Sequence, residues 1–221
     1  MKRLSLIVTI ALMLIACQVF AAGTLNTGSL ASGSGLTGTS NWAANMNISW
    51  NVSLLNNVYT YTYVFADNDT GQKKDISHII LQTSDNFSAA NISGLKINDT
   101  NGQYELQTWT TQQGNPNIPA SVYGLKIEDG PDASTWTVVF QSDKAPMWGN
   151  FYAKNGQTNQ LDNTVWNTDF LIAPSDRDSF NSVGNYIAVP DTNVIPEMPS
   201  SLLGAISLIP TALVALKRRY R

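Results

Sequence analysis

The chain has 221 residues, of which only 13% are charged, and a formal net charge of −3. Six of its 13 basic residues and one of its 16 acidic residues lie in the two terminal segments, which leaves 7 against 15 and a body near −8. That balance argues against nucleic-acid binding, which needs cations to neutralise phosphates, and about 170 residues between the terminal segments suit one domain.

Residues 1–22 have the parts of a secretory signal: Lys2-Arg3, an apolar stretch from Leu4 to Ile15, and small residues Ala21-Ala22. Signal peptidase could cut after Ala21 or Ala22. A second route starts from Leu14-Ile15-Ala16-Cys17, which matches the pattern preceding a lipidated cysteine. Cys17 is the only cysteine, so ordinary cleavage would leave a body without disulfide or thiolate chemistry. Residues 23–42 are rich in Gly, Ser and Thr and read as a flexible leader.

From residue 43 to 190 the pattern predicts an all-β domain. Met46, Ile48, Trp50, Val52 and Leu54 alternate with Asn45, Asn47, Ser49, Asn51 and Ser53, the period of a half-buried strand. Asn56-Asn57 predicts a tight turn, because Asn tolerates positive φ. Val58 to Phe65 then returns with Tyr59, Tyr61, Tyr63 and Phe65 on one face. Further strands are expected at Ile76–Thr83, Tyr104–Thr110, Ser121–Glu128, Thr135–Ser142, Met147–Lys154, Val165–Ile172 and Tyr186–Val189, separated by Gly-, Pro- and Asn-containing turns. A short helix is expected within Ser84–Leu95. The number and spacing of the strands suggest an antiparallel β-sandwich, jelly-roll-like or immunoglobulin-like.

Residues 191–199 read as a linker containing Pro196-Glu197-Met198-Pro199, followed by an apolar run over 200–216 and a basic tail over 217–221. As a helix, Ser200 to Leu216 would span about 25 Å, enough for a transmembrane segment if its ends sit at the interfaces. Lys217, Arg218, Arg219 and Arg221 would hold that end on the cytoplasmic side. This order resembles the PEP-CTERM sorting signal of bacterial envelope proteins. Pro196 and Glu197 match it, Met198 stands where the third-position proline is usual, and Pro199 supplies a proline one residue late. Archaeal relatives carry Pro-Glu-Phe here. The resemblance implies recognition by an exosortase-type protease, after passage through the Sec translocon and cleavage by signal peptidase. The protein would dwell briefly in the inner membrane and then reach the cell surface or extracellular matrix. Ile76–Leu81, Gly114-Asn115-Pro116, Val122–Lys126 and Ser142–Lys154 also resemble segments of uncharacterised PEP-CTERM proteins, which carry no activity across.

Motif chemistry points away from an enzyme. There is one histidine, His78, without a Gly-x-Ser-x-Gly elbow, and there is no Walker loop, dinucleotide fingerprint or His-Glu-x-x-His pattern. No cofactor is expected. Asp67 and Asp69 are calcium candidates in the stretch Asp67-Asn68-Asp69-Thr70-Gly71, which also reads as an acidic turn. Trp109, Trp136 and Trp148 are either sandwich core or a sugar-stacking platform. The expected role is therefore a structural or exopolysaccharide-associated envelope protein. The alternatives are a carbohydrate-binding module, and a stably anchored membrane protein or lipoprotein.

Overall fold

The computed structural model describes residues 23–69, 75–158, 161–173 and 184–190. Its centre is a hairpin of β3 (Met46–Leu55) and β4 (Val58–Asp67), paired without interruption from Met46↔Asp67 to Leu55↔Val58. Asn56 and Asn57 turn it with φ of 52° and 62°. Two left-handed residues match the right-handed twist of the flanking strands, which is why Asn-Asn works here. Ile48, Trp50, Val52, Tyr59, Tyr61, Tyr63 and Phe65 all point inward and are buried.

Strands add on both sides of this hairpin. β10 (Thr135–Ser142) pairs with β4 over eight residues, and β6 (Ile92–Ile97) with the short β7 (Thr100–Asn101) follows it. On the other side β1 (Gly23–Ser32) pairs with β3. The chain then turns at Gly33 and Gly35, whose φ values of 71° and 95° suit glycine. β2 (Gly35–Gly38) touches β1 in parallel and starts the second half of the same twelve-stranded sheet. That half continues through β13 (Leu161–Asn167), β12 (Phe151–Thr158), β5 (Ile76–Gln82), β9 (Val122–Glu128) and β8 (Gln103–Trp109), every pair antiparallel.

The sheet folds over at the β1–β2 contact so that its halves share one core. Phe65 of β4 meets Phe151 of β12 edge-on at 5.9 Å, and Ile79, Leu81, Leu125, Ile127 and Val165 complete the second inner face. A small sheet of β11 (Pro146–Gly149) and β14 (Ile187–Pro190) is tied to the first half. Tyr61 Oη donates to the Lys144 carbonyl at 2.8 Å, and Tyr63 Oη to the Ala188 carbonyl at 2.7 Å.

The all-β expectation and the central hairpin match the structure; several details do not. Residues 23–38 are not a flexible leader. They form β1 and β2, and α1 (Ser40–Asn45) follows with Trp42 and Ala43 buried. Small residues serve there because the backbone runs close to neighbouring side chains. A Cβ at Gly28 would lie inside the indole of Trp50. The helix expected within Ser84–Leu95 is a single 3₁₀ turn at Ala89–Asn91, preceded by a turn and followed directly by β6. The strand expected over Met147–Lys154 breaks at Asn150 into β11 and β12. There the Asn150 side chain donates to the Phe170 carbonyl at 3.2 Å and accepts from Asn167 at 2.7 Å. The strand expected from Val165 to Ile172 ends at Asn167. Among the described residues no helix is long and apolar enough to cross a membrane. Residues 1–22 and 191–221, with Cys17, the sorting motif and the terminal basic cluster, lie outside the described residues.

The role of β1 yields a stability prediction. Gly28→Ala should displace the Trp50 indole and cost about 1–3 kcal/mol, the usual range for overpacking. Gly156→Ala, where an added methyl meets nothing within 4 Å, should stay within about 0.5 kcal/mol of wild type. Urea unfolding of both variants measures the difference.

Candidate functional site

Of the two readings given for the tryptophans, sandwich core or sugar platform, Trp109 and Trp136 follow the first. Trp109 is 2% exposed and Trp136 is 1% exposed. Their indole N–H groups donate to the carbonyls of Gly124 (2.9 Å) and Pro131 (3.0 Å). Trp109 packs in a satellite core with Ile80, Ile118, Val122, Tyr152 and Phe170, and the Lys126 ammonium lies 5.0 Å from its ring centroid. Trp148 is half-buried and meets Trp50 edge-on at 6.2 Å. Neither Trp109 nor Trp136 has an open face on which a pyranose could stack, so these residues do not form the platform.

Asp67 is buried at the end of β4, and its Oδ1 accepts from the Asp69 backbone N–H at 2.9 Å, an Asx-type turn. Among the described residues no three His, Cys, Asp or Glu side chains gather to hold a metal. Residues 70–74, the rest of the proposed calcium loop, lie outside the described residues.

His78 is on the outer face of the second half-sheet, yet it is 5% exposed. Register places Glu128 of β9 on one side of it and Lys154 of β12 on the other. Its ring stacks on Tyr152 at 5.9 Å, and Ser77 Oγ lies 3.4 Å from Nδ1. Asn115 lies near the ring, held by its own amide donating to the Thr110 carbonyl at 3.0 Å. Neither His78 Nε2 nor Asn115 Oδ1 has a hydrogen-bond partner among the described residues. Burial first, then the charges of Lys126 and Lys154, lower the His78 pKa to about 3, while the Asn115 contact opposes the shift. The charges around it are themselves engaged. Lys126 pairs with Glu128 at 2.7 Å, and Lys154 pairs with Asp162 at 3.4 Å. This imidazole is neutral and enclosed, a poor general base. Burial first, with Asp162 second, also pushes the Tyr152 hydroxyl well above the usual phenol range.

The outer face of the first half-sheet has the opposite character. Register aligns Thr27, Asn51, Thr62, Val139 and Lys96 across β1, β3, β4, β10 and β6. A parallel row runs Ser29, Ser49, Val64 and Thr137. On these five strands the only charged residues are Lys96 and the buried Asp67. The side chains of Thr27, Ser29, Ser49, Asn51, Thr60 and Thr62 are half-buried or exposed, and none engages another described protein group. The alternating Asn, Ser and Thr positions were visible in the sequence as the polar side of two strands. That they join a five-strand face was not.

No protein-family model matches the chain, and no curated protein matches it. One solved structure it is similar to is the KRT10-binding region domain of the pneumococcal serine rich repeat protein PsrP, at 11% identity. The match covers 77% of this chain and 99% of that one with a TM-score of 0.23. At that score the likeness carries no argument.

The His78 environment sets a pH dependence. An unfolded chain protonates this residue near 6.5, whereas the fold defers protonation to about 3. Its contribution is complete above about pH 6.5 and declines as pH falls toward 3, by at most about 1.4 kcal/mol per pH unit. Denaturant unfolding between pH 4 and 8 should show the wild type losing stability on the acid side faster than His78→Leu. Parallel curves would reject the enclosed, neutral imidazole.

Proposed function

We propose that the chain is an exported, non-enzymatic envelope protein. In this reading a Sec-type signal precedes an antiparallel β-sandwich body, jelly-roll-like or immunoglobulin-like, and an exosortase-type protease removes a C-terminal sorting helix. The body then resides at the cell surface or in the matrix, in contact with exopolysaccharide. The observation that carries the proposal is the order Pro196-Glu197, apolar run, Lys217-Arg218-Arg219.

The described residues accommodate the reading: Gly23, directly after Ala21-Ala22, already pairs with Leu54 of β3, and Pro190 of β14 pairs with Pro146 of β11. Acylation at Cys17 would leave only Gln18–Ala22 between the lipid and β1. Five residues reach at most about 18 Å, a short tether for a domain standing clear of a membrane, so ordinary cleavage is the better fit. The enclosure of His78 supports a role without catalysis.

Intact mass and terminal peptide mapping of protein taken from its native envelope test the proposal. The expected species begins at Ala22 or Gly23 and lacks everything beyond the Pro196-Glu197 region. Retention of Arg221 would overturn the sorting reading in favour of a stable anchor, and an acylated Cys17 would identify a lipoprotein.

A further inference from the structure

We infer that the turn end of the β3–β4 hairpin is a lipid-contacting tip, on which the body stands against the bilayer while its C-terminal helix still holds it, a surface that rests on the membrane-tail reading proposed above. Three aliphatic side chains are exposed at this end. Leu55 (43%) and Val58 (38%) pair across the last rung of the hairpin. Leu25 (41%) stands in the β1 bulge, between the partners of Ser53 and Val52. Exposed aliphatic groups gathered in one place mark contact surfaces rather than ordinary solvent-facing positions.

Both ends of the folded body lead to this tip. β1 starts there, since Gly23 pairs with Leu54, so residues 1–22 join the body beside the turn. β14 runs toward it. Its approach is held away from the turn, where a Cβ at Gly35 would meet Asn185 Oδ1 and the Ala188 carbonyl accepts from Tyr63. Its last residue, Pro190, pairs with Pro146, just after Lys144, whose carbonyl accepts from Tyr61, two residues nearer the turn. From there residues 191–199 lead to the apolar run over 200–216, a reach of at most about 32 Å. The two apolar segments of the sequence thus join the body at the end that shows bare aliphatic side chains. So short a tether makes the contact intramolecular, which lets three side chains suffice where they would not hold a free body.

Charge sets the same orientation. Asp67, Asp75, Asp99 and Asp132 belong to the opposite end of the hairpin. There the Asp67 N–H donates to the Ser134 carbonyl, the Ile76 N–H to the Ala133 carbonyl, and the Asn98 amide to the Thr135 carbonyl. Residues 23–25 and 54–58 carry no charge. The charges nearest to them are the Asp143–Lys144 pair at 3.1 Å and Asp85 in the loop from β5 to β6. An anionic lipid surface repels the acidic end and admits the tip. Leu171 and Ile172 are also exposed, but they lie at the start of β14, where Tyr186 Oη donates to the Ile172 carbonyl at 3.0 Å, and residues 174–183 beyond them are outside the described residues. A second copy of the chain is a poorer occupant of the tip, since three side chains fall far short of the roughly 800 Å² per partner of a stable interface.

Depth-dependent quenching tests the inference on the signal-cleaved chain with its tail intact, reconstituted in phosphatidylcholine vesicles that contain phosphatidylglycerol and a nitroxide-labelled lipid. The chain from Gly23 onward holds no cysteine. A single Thr24→Cys at the tip, or Ala44→Cys at the opposite end, both at exposed positions, therefore carries one nitrobenzoxadiazole label. The nitroxide should quench the label at residue 24 at least about threefold more than the label at 44, as expected of a group seated at the headgroup boundary. Adding Leu55→Ser and Val58→Ser should reduce quenching at 24 at least about twofold, with melting temperatures confirming that the variant folds. Equal quenching at the two positions would overturn the inference, as would a tip variant quenched like its parent. A label at 24 that is shielded from aqueous iodide yet untouched by the nitroxide would mean that protein covers the tip, and would overturn it too. The comparison of 24 with 44 needs no tip variant to fold. Vesicle flotation of the same samples separates the two readings: a chain that floats without quenching at 24 rejects the tip contact alone, and a chain that does not float rejects the membrane tail and the tip contact with it.

Discussion

Tyr63 sits where the two half-sheets and the small sheet meet, with no exposed surface, and the rest of the structure is arranged around satisfying it. Its ring lies 6.0 Å from Phe140 and 6.3 Å from both Tyr61 and Phe65, so three consecutive inward residues of β4 form a ladder with β10. A phenol hydroxyl this deep must find a partner, because an unsatisfied buried donor costs about 1–3 kcal/mol. It finds the Ala188 carbonyl, and the same demand at Tyr61 is met by the Lys144 carbonyl. Two hydroxyls thereby pin β14 and the approach to β11 onto the central hairpin. The apolar bodies of these tyrosines supply the burial, and their tips supply the geometry.

A second constraint acts at the junction of β11, β12 and the segment after β13. The Asn167 amide donates to Asn150 Oδ1 at 2.7 Å, Asn167 Oδ1 accepts from the Phe151 N–H at 3.0 Å, and Gln82 Oε1 accepts from the Asn150 N–H at 2.9 Å. These side chains replace ladder bonds where the strand is interrupted. Backbone groups leaving a sheet inside a protein need such substitutes. The abundance of Asn therefore has two uses in this chain: turns such as Asn56-Asn57, and internal joints such as Asn150 and Asn167.

The two outer faces of the sheet divide the protein's chemistry. One is closed by the loop carrying Asn115 and Ile118 and by Phe170, and both Lys126 and Lys154 on it are ion-paired. The other is hydroxylated, with Lys96 as its exposed charge among the described residues.

Strict alternation from Asn45 to Leu54 and from Val58 to Phe65, closed by Asn56-Asn57, determined the central hairpin from the sequence alone. Period and turn chemistry are local, and nothing distant competes with them there. The places of Trp109 and Trp136 were not legible, since a tryptophan at an alternating position looks the same whether the face it joins is covered or open. The strands at residues 23–38 were hidden for a related reason. Gly28 has no intrinsic preference for a strand and belongs in one only because Trp50 fills the space a side chain would take. Likewise each strand announced its own polar positions, but only the pairing of β1, β3, β4, β10 and β6 set them side by side. Faces belong to register, and register is decided by non-local packing.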